Sequence, residues 1–457
     1  VSRCPLCPGK NNCVPPDGPA DCGYHFIGEA PGSTEDRRGL PFMGKTGDEV
    51  NRGYLPIAGF KRDSVYFDNA ISCLPDRPKG KLDTKRQADC DLLQACAEHH
   101  LYPNLERHKP NLIIPMGAFA CRAIDPDIDL ELQHGMPVTT MWGKAFPMYH
   151  PAGGIHEPKK MLLIRTDWTR LRKYIIGKLV LPKDKYQGRE EYEEVVSVAH
   201  LHSILGGCND YTLMACDTEV KRGGDPFCLT FSIREGTGYL VRASRIDILE
   251  TFQAYLSEWK GLILFHNWLF DGKVVKKMGL VFPNSRIRDT MVKVFSLGNM
   301  PQGLKALAYR ELGMTMQDFD DLVTPYAKPL VLDYYRQAHL EEWPKPEAEM
   351  IRDKDGKWKI YQAQSMSTKL KRFFTDLNKN SDKDLFTAWD NWDECHEMVE
   401  KELGSWPGKC ITYAPIDKVI HYACRDADAT LRLWPLLKWM EHNVRRRPQE
   451  FWADKAA

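Results

Sequence analysis

At 457 residues, with 43% hydrophobic and 27% charged content, the chain is long enough for two or three domains and has the composition of an ordinary folded protein. A formal net charge of +1 gives no global basic signal, so affinity for nucleic acid must come from local patches. No apolar run approaches a membrane span and VSRCPLCPGK lacks a signal-peptide core, so a cytoplasmic protein with no membrane partner is expected. Eight of the 14 cysteines lie between Cys4 and Cys121, a clustering that favours a metal centre over disulfides in a reducing compartment.

In chain order, four short apolar runs end in turns. They are Tyr24 to Ile27 before Gly28, Val65 to Phe67 before Asn69, Asn111 to Pro115 before Met116-Gly117, and Ala145 to Tyr149 before His150. Continuous apolar strands with helical patterns between them predict an α/β fold with a parallel sheet covered on both faces. Ligand sites of such sheets gather at the carboxyl ends of the strands. Residues 1–175 are read as this first domain and 176–209, with KDKYQGREEYEE, as a charged linker carrying a helix. A second αβ domain over 210–440 begins with the strand YTLMACDTE and continues through GLILF into HNWLFDGKVV. Residues of about 314–409 read as an insertion, in which RDKDGKW is a hairpin turn at Asp355-Gly356 and lacks the oxygen ligands of a calcium loop. Residues 441–457 are read as a tail.

The strand ends of the first domain carry the parts of a base pocket. Glu29 and Ala30 lie on a tight turn that exposes backbone N–H groups, and Phe42 follows Pro41 with a ring for a planar ligand. Asn69 offers the donor and acceptor that read a pyrimidine edge, and His150 stands where an oxyanion would develop. GEAPGSTEDRRGLPF is not a phosphate loop, because no Gly-Lys-Ser/Thr follows and the glycines lack that spacing.

Residues 4 to about 173 resemble the family-4, iron–sulfur-containing uracil-DNA glycosylases. The matching pieces are GEAPGSTEDRRGLPFMGKTG, VYFDNAISCLPD, NLIIPMGAFA and YHPAGGIHEPKK, in the family's order. The resemblance implies a three-layer αβα domain that hydrolyses the N-glycosidic bond of uracil in DNA. Phe42 would stack on the base, Asn69 would read its polar edge, and His150 would stabilise charge on O2. Glu29 and Ala30 would belong to the loop that places the catalytic water; either Glu29 or Glu35 could activate it. A [4Fe–4S] cluster is implied on Cys4, Cys7, Cys73 and Cys96, the last because it is expected to open a helical segment running into LERHKPNLII, with Cys90 competing for the fourth place. Cys13 and Cys22 are extra to the pattern.

The second domain gathers carboxylates. Strand alternation puts Asp217 and Glu219 on one face, and two acids there need a cation between them. Asn267 and Asp271, and likewise Tyr422 and Asp426, are one helical turn apart. CDTE, FHNWLFDGKVV and YACRDADATLRLW together resemble the DEDDy 3′–5′ exonucleases, the proofreading domain of A-family DNA polymerases. That resemblance covers about residues 211–313 and 411–436, and RDTMVK and GLKALAYRELG fall where the family has a structural helix and turn. It implies an RNase H-like fold and two divalent ions, Mg²⁺ or Mn²⁺, on Asp217, Glu219, Asp271 and Asp426. Tyr422 would orient the attacking water, and Asn267 would contact the substrate. In the insertion, Trp358-Lys359 and Lys369 to Phe374 could track single-stranded nucleic acid, as Arg445-Arg446-Arg447 could contact phosphate.

Both resemblances together point to a bifunctional DNA enzyme acting on uracil-containing DNA and on single-stranded or frayed 3′ ends. Two settings fit: a phage-type repair and proofreading protein in a bacterial or phage-infected cell, or the front of a polymerase. The rival reading is a uracil- or DNA-end-binding module in which only the exonuclease is active.

Overall fold

The computed structural model describes residues 4, 6, 11–76, 82–84, 86–298, 300–326, 350–352, 358–360 and 410–443. Contacts divide the chain into two units. The first comprises the described parts of Val1–Gly188, Asp289–Thr315 and Arg432–Ala457; the second, those of Arg189–Arg288 and Met316–Leu431.

The first unit is built on a five-stranded sheet. Its strands are β1 (Tyr24–Gly28), β2 (Tyr66–Asn69), β3 (Leu112–Pro115), β4 (Val138–Thr140) and β5 (Gly143–Ala145), in the order β2-β1-β3-β5-β4. β1 pairs in parallel with β2 and β3, and β3 with β5, while β4 closes the edge antiparallel to β5. Each central strand is buried nearly throughout because successive side chains enter different cores. Phe26, Phe67 and Ile114 pack with Trp168 and Leu171 of the helix Pro158–Ile175. Ile27 and Ile113 pack with Leu93 of the helix Gln87–Cys96 and with Phe119 and Ala120 of the helix Ala118–Ile124. The result is the expected three-layer αβα domain.

Two expectations change here. The strand anticipated over Ala145 to Tyr149 stops at Ala145. Phe146 N still donates to Ile113 O and Met148 N to Pro115 O, so contact with β3 runs on to a Met116↔Met148 bridge, while Pro147 has no N–H to give on the opposite, β4 side. Cys96, expected to open a helix, instead closes Gln87–Cys96, after which the chain loosens into a π-helical turn at Ala97–Leu101.

The second unit holds a six-stranded sheet of β6 (Glu191–Glu194), β7 (Met214–Val220), β8 (Pro226–Ser232), β9 (Thr237–Arg242), β10 (Ile263–Phe265) and β11 (Ile287–Asp289). Its order is β11-β10-β7-β8-β9-β6. The antiparallel run β7-β8-β9, with β10 added in parallel beside β7, is the RNase H-like arrangement. Met214, Cys216, Leu229, Phe231 and Val241 form its core with Phe252 of the helix Ile246–Glu258. The segment expected to be a linker contributes to this unit. EYEE becomes β6, paired in parallel with β9, and the helix Val198–Leu205 buries Leu201 and Leu205. Alternating half-buried and exposed positions along β6 explain why so acidic a stretch tolerates an edge. The arms of the anticipated hairpin pair, β12 (Met350–Arg352) antiparallel with β13 (Trp358–Ile360), while the turn at Asp355-Gly356 lies outside the described residues. The rest of the insertion beyond Tyr326, including Lys369 to Phe374, lies outside the described residues, as do Arg445-Arg446-Arg447. Among the described residues no helix is long and apolar enough to cross a membrane.

Candidate functional sites

Register brings the first site together. Gly28 stands opposite Asn69 across β1 and β2, so the turn after Gly28 and the Asn69 side chain emerge at one end of the sheet. A Cβ at Gly28 would collide with Asn69 Oδ1 and the tip of the Phe42 ring, which is why glycine is needed there. Phe42, Asn69 and His150 line a cleft of about 400 Å³ with Ala30, Glu35 and Lys45. Glu29 is not part of this lining.

Phe42 is placed by strained backbone. Its φ is 56°, the left-handed region, and its ring packs on Phe67 at 4.8 Å and lies 6.4 Å from the His150 ring, inclined by 29°. Glu35 holds this conformation. Its Oε1 accepts the N–H groups of Met43 at 3.0 Å and Gly44 at 2.7 Å, immediately after the ring. That engagement occupies Oε1, while Glu35 stays in the lining of the cleft. Burial raises the carboxyl pKa of Glu29, which follows β1 directly.

Asn69 is buried, and behind it lies a group the sequence does not single out. Asp68 accepts the Asn69 N–H at 2.8 Å and the Asn104 amide at 3.0 Å, while burial pushes its pKa up to about 6. His150 is shifted the other way, with desolvation holding its pKa at about 4. Its Nδ1 accepts the Ala152 N–H at 3.3 Å, so the neutral ring carries its proton on Nε2, ready to donate.

Cys4, Cys73 and Cys96 pack in one apolar cluster, all nearly fully buried. The Ser72 N–H donates to Cys96 Sγ at 3.1 Å, and burial, together with the neighbouring Cys4, pushes the Cys96 thiol up to about 12. Cys90 is half-exposed and donates to Thr84 O at 3.1 Å, so the structure groups Cys96 with the other two. Cys13 Sγ lies 3.8 Å from His100 Nε2. Cys7 lies outside the described residues. Three buried thiols in one apolar cluster suit a thiolate-held cluster in donor type, but among the described residues no three are spaced to hold an ion.

The second site is electrostatic. β7 buries Met214 to Cys216, then presents Asp217 and Glu219 on one face, opposite Thr230 and Cys228 of β8. Thr218 points the other way and donates to Asp271 Oδ1 at 2.6 Å. Asp271 is buried in the helix Trp268–Lys277, entered through Asn267 at φ 92°; Asn267 is therefore the left-handed residue preceding the helix. Tyr422 and Asp426 lie on the helix Ile416–His442, tied to the sheet by Thr230 Oγ1 donating to Ala423 O at 3.2 Å. Burial raises the Asp217 pKa well above the usual range, and Asp271, Asp426 and Glu219 push it further. The Tyr422 hydroxyl is raised by burial and by Glu219, Asp426 and Asp217, with Asp318 adding to them. All five side chains thus share one electrostatic neighbourhood. Asp428, two residues beyond Asp426, instead braces the sheet. It accepts the Tyr192 hydroxyl at 2.6 Å and the Gly236 N–H at 2.9 Å.

Four carboxylates are hard oxygen donors suited to Mg²⁺ or Mn²⁺. Among the described residues no group of three or more His, Cys, Asp or Glu side chains is spaced to hold an ion.

Residues 15–172 match the family model described as the uracil DNA glycosylase superfamily. The chain is 30% identical over 178 residues to the type-4 uracil-DNA glycosylase of Archaeoglobus fulgidus, covering 37% of this chain and 85% of that protein. It is 26% identical over 186 residues to the type-4 enzyme of Sulfurisphaera tokodaii, covering 38% and 80%. Among solved structures, the catalytic core of RRP6 from Trypanosoma brucei aligns at 16% identity and a TM-score of 0.27, over 31% of this chain and 40% of that one. The chain therefore spans less than half of that structure's length.

Proposed function

The chain belongs to the uracil-DNA glycosylase superfamily through residues 15–172, and from that premise we propose that this unit excises uracil from DNA by hydrolysing its N-glycosidic bond. The observation that carries the proposal is the single cleft lined by Phe42, Asn69 and His150 at the strand ends. An extruded uracil would stack on Phe42, and the Asn69 amide would read its edge, leaving O2 toward His150. Neutral His150 with its Nε2 proton would donate to the oxygen on which negative charge gathers as the bond breaks. Either Glu29 or Glu35 would activate the water, and of the two Glu35 lines the cleft while its Oε1 holds the Phe42 loop. Cys4, Cys7, Cys73 and Cys96 would hold a [4Fe–4S] cluster of structural role, tying the N-terminus to this domain.

The second unit we assign to metal-dependent 3′–5′ exonucleolysis of the DEDDy type. Asp217, Glu219, Asp271 and Asp426 would hold two divalent ions, which would stabilise the attacking and leaving oxygens of the phosphodiester. Tyr422 would orient the water. This reading rests on the shared field of the five side chains. Uracil-containing strands and 3′ ends are the proposed substrates, and a DNA polymerase is the partner these chemistries would serve.

Excision is tested by incubating a uracil-containing single strand with the protein in EDTA and scoring abasic sites. Release supports the proposal; none at high protein concentration leaves a binding module in its place.

A further inference from the structure

Within the first unit, five side chains that the proposed chemistry does not use form a buried ionic cluster. His134, Asp167, Arg170, Arg310 and Glu311 are all at 1% exposure or less. Arg310 Nη1 lies 3.0 Å from His134 Nε2, and Nη2 lies 3.6 Å from Asp167 Oδ1. Asp167 Oδ2 is 2.8 Å from His134 Nδ1. Arg170 Nε donates to Gly135 O at 2.8 Å, and its Nη1 faces Glu311 Oε1 at 3.7 Å. Burial lowers the His134 pKa. A neutral ring with Nδ1–H donating to Asp167 fits this neighbourhood, where Arg310 Nη1 stands 3.1 Å from Nδ1 and 3.0 Å from Nε2.

The cluster adjoins the cleft. The His134 ring packs against Tyr149 with centroids 4.3 Å apart, and Tyr149 is held at its far end by Glu131 at 2.7 Å. Gly135 N donates to Pro147 O at 2.8 Å, so the segment that ends in His150 is gripped on both sides of Met148. Arg310 comes from the helix Leu304–Leu312, 160 residues further along the chain and inside the exonuclease-like stretch of sequence.

We infer that Arg310 is a positioning residue for base excision, fixing the His134–Tyr149 wall that sets the His150 ring in the cleft. A buried ion pair contributes little net stability compared with apolar packing of the same volume, so its position is better explained by orientation than by stabilisation. The excision unit is thereby completed by a helix from the downstream sequence. This inference rests on the excision reading.

The test uses the full chain and three variants. Arg310→Met should lower kcat for base release about 10- to 100-fold, the scale of a displacement near 1 Å, with KM and strand affinity within about twofold. Arg310→Lys, which keeps the charge without the fork, should recover part of the loss. If Arg310→Met melts early, the double variant Arg310→Met with Asp167→Asn removes both charges; it should restore melting yet keep the low kcat. Nitrogen-15 histidine spectra of the full chain read the same point without turnover, and the His150 Nδ1 signal should leave its hydrogen-bonded position in Arg310→Met. A folded variant with wild-type kcat and an unmoved His150 signal overturns the inference. Absence of base release from the wild-type chain would instead sink the excision reading, and the His150 signal would then decide the positioning role alone.

Discussion

The two sites solve opposite electrostatic problems. The cleft of the first unit sets three uncharged groups, His150 held at about 4, Asn69 and the Phe42 ring, beside Glu35 and Lys45. The β7 site of the second unit collects groups that resist sharing a space, with Asp217 raised by burial and by three other carboxylates. Uncharged side chains can be preformed around a neutral base and then meet developing negative charge with a fixed donor. A like-charge cluster is an incomplete site whose geometry waits on cations. One activity should therefore be indifferent to chelators, and the other wholly dependent on divalent metal.

The comparison is broken most sharply at Asp217. Asp217→Asn should cut 3′ shortening on the order of 10³-fold or more, while abasic-site formation in EDTA stays unchanged. Loss of both activities in a folded variant would show the sites are not separable. The reciprocal substitution, His150→Gln, should lower kcat for base release on the order of 10²–10³-fold, the scale of one lost oxyanion donor, with 3′ shortening intact. An inflection near pH 6.5 in wild-type base release, assigned to His150, would contradict the neutral donor, because a ring held at about 4 does not titrate there.

Phe42→Ala should cost about 1–3 kcal/mol, roughly 5- to 150-fold, in base release, and change DNA binding much less. Equal losses in release and binding would make the ring a general packing element. The smallest effect concerns the far end of the first sheet. His25 is buried, and its pKa is lowered to about 4, chiefly by desolvation. Its contribution to stability is present above the ordinary value near 6.5 and is lost as pH falls toward 4, because the unfolded chain takes up a proton that the fold refuses. Asp68 acts in the opposite sense: its contribution is full below its ordinary value of 3.8 and is lost as pH rises through about 6. His25→Gln should therefore melt less differently between pH 7 and pH 5 than the wild type does. Identical pH dependence in both would remove His25 from the account.

What is legible in the sequence follows strand ends. Asn69 and His150 each close or follow a short apolar run, Phe42 follows Pro41 in the connection after β1, and the fold carries these local signals into one cleft. Asp217, Glu219, Asp271, Tyr422 and Asp426 are legible from alternation and helical spacing, and in the fold they share one field. Other features are not legible, each for a physical reason. Pro147 ends the last strand early, because an apolar run does not reveal which N–H the ladder needs. Glu35 reads as a possible base, although its partners are backbone N–H groups that converge only once the Phe42 loop has folded. Arg310 reaches His134 across 176 positions, and no periodicity or spacing carries a contact of that range. EYEE reads as linker because an acidic edge strand shows little of the apolar signal that marks a central one.

The central claim is that one chain holds a metal-independent excision site and a metal-dependent degradation site. It is tested most directly by following a single uracil-containing strand, labelled at its 3′ end, with the full chain in EDTA and again in Mg²⁺. The account predicts abasic sites with an intact 3′ label in EDTA, and abasic sites together with stepwise 3′ shortening in Mg²⁺. Uracil retained in both conditions, or a label lost equally with and without metal, would contradict it.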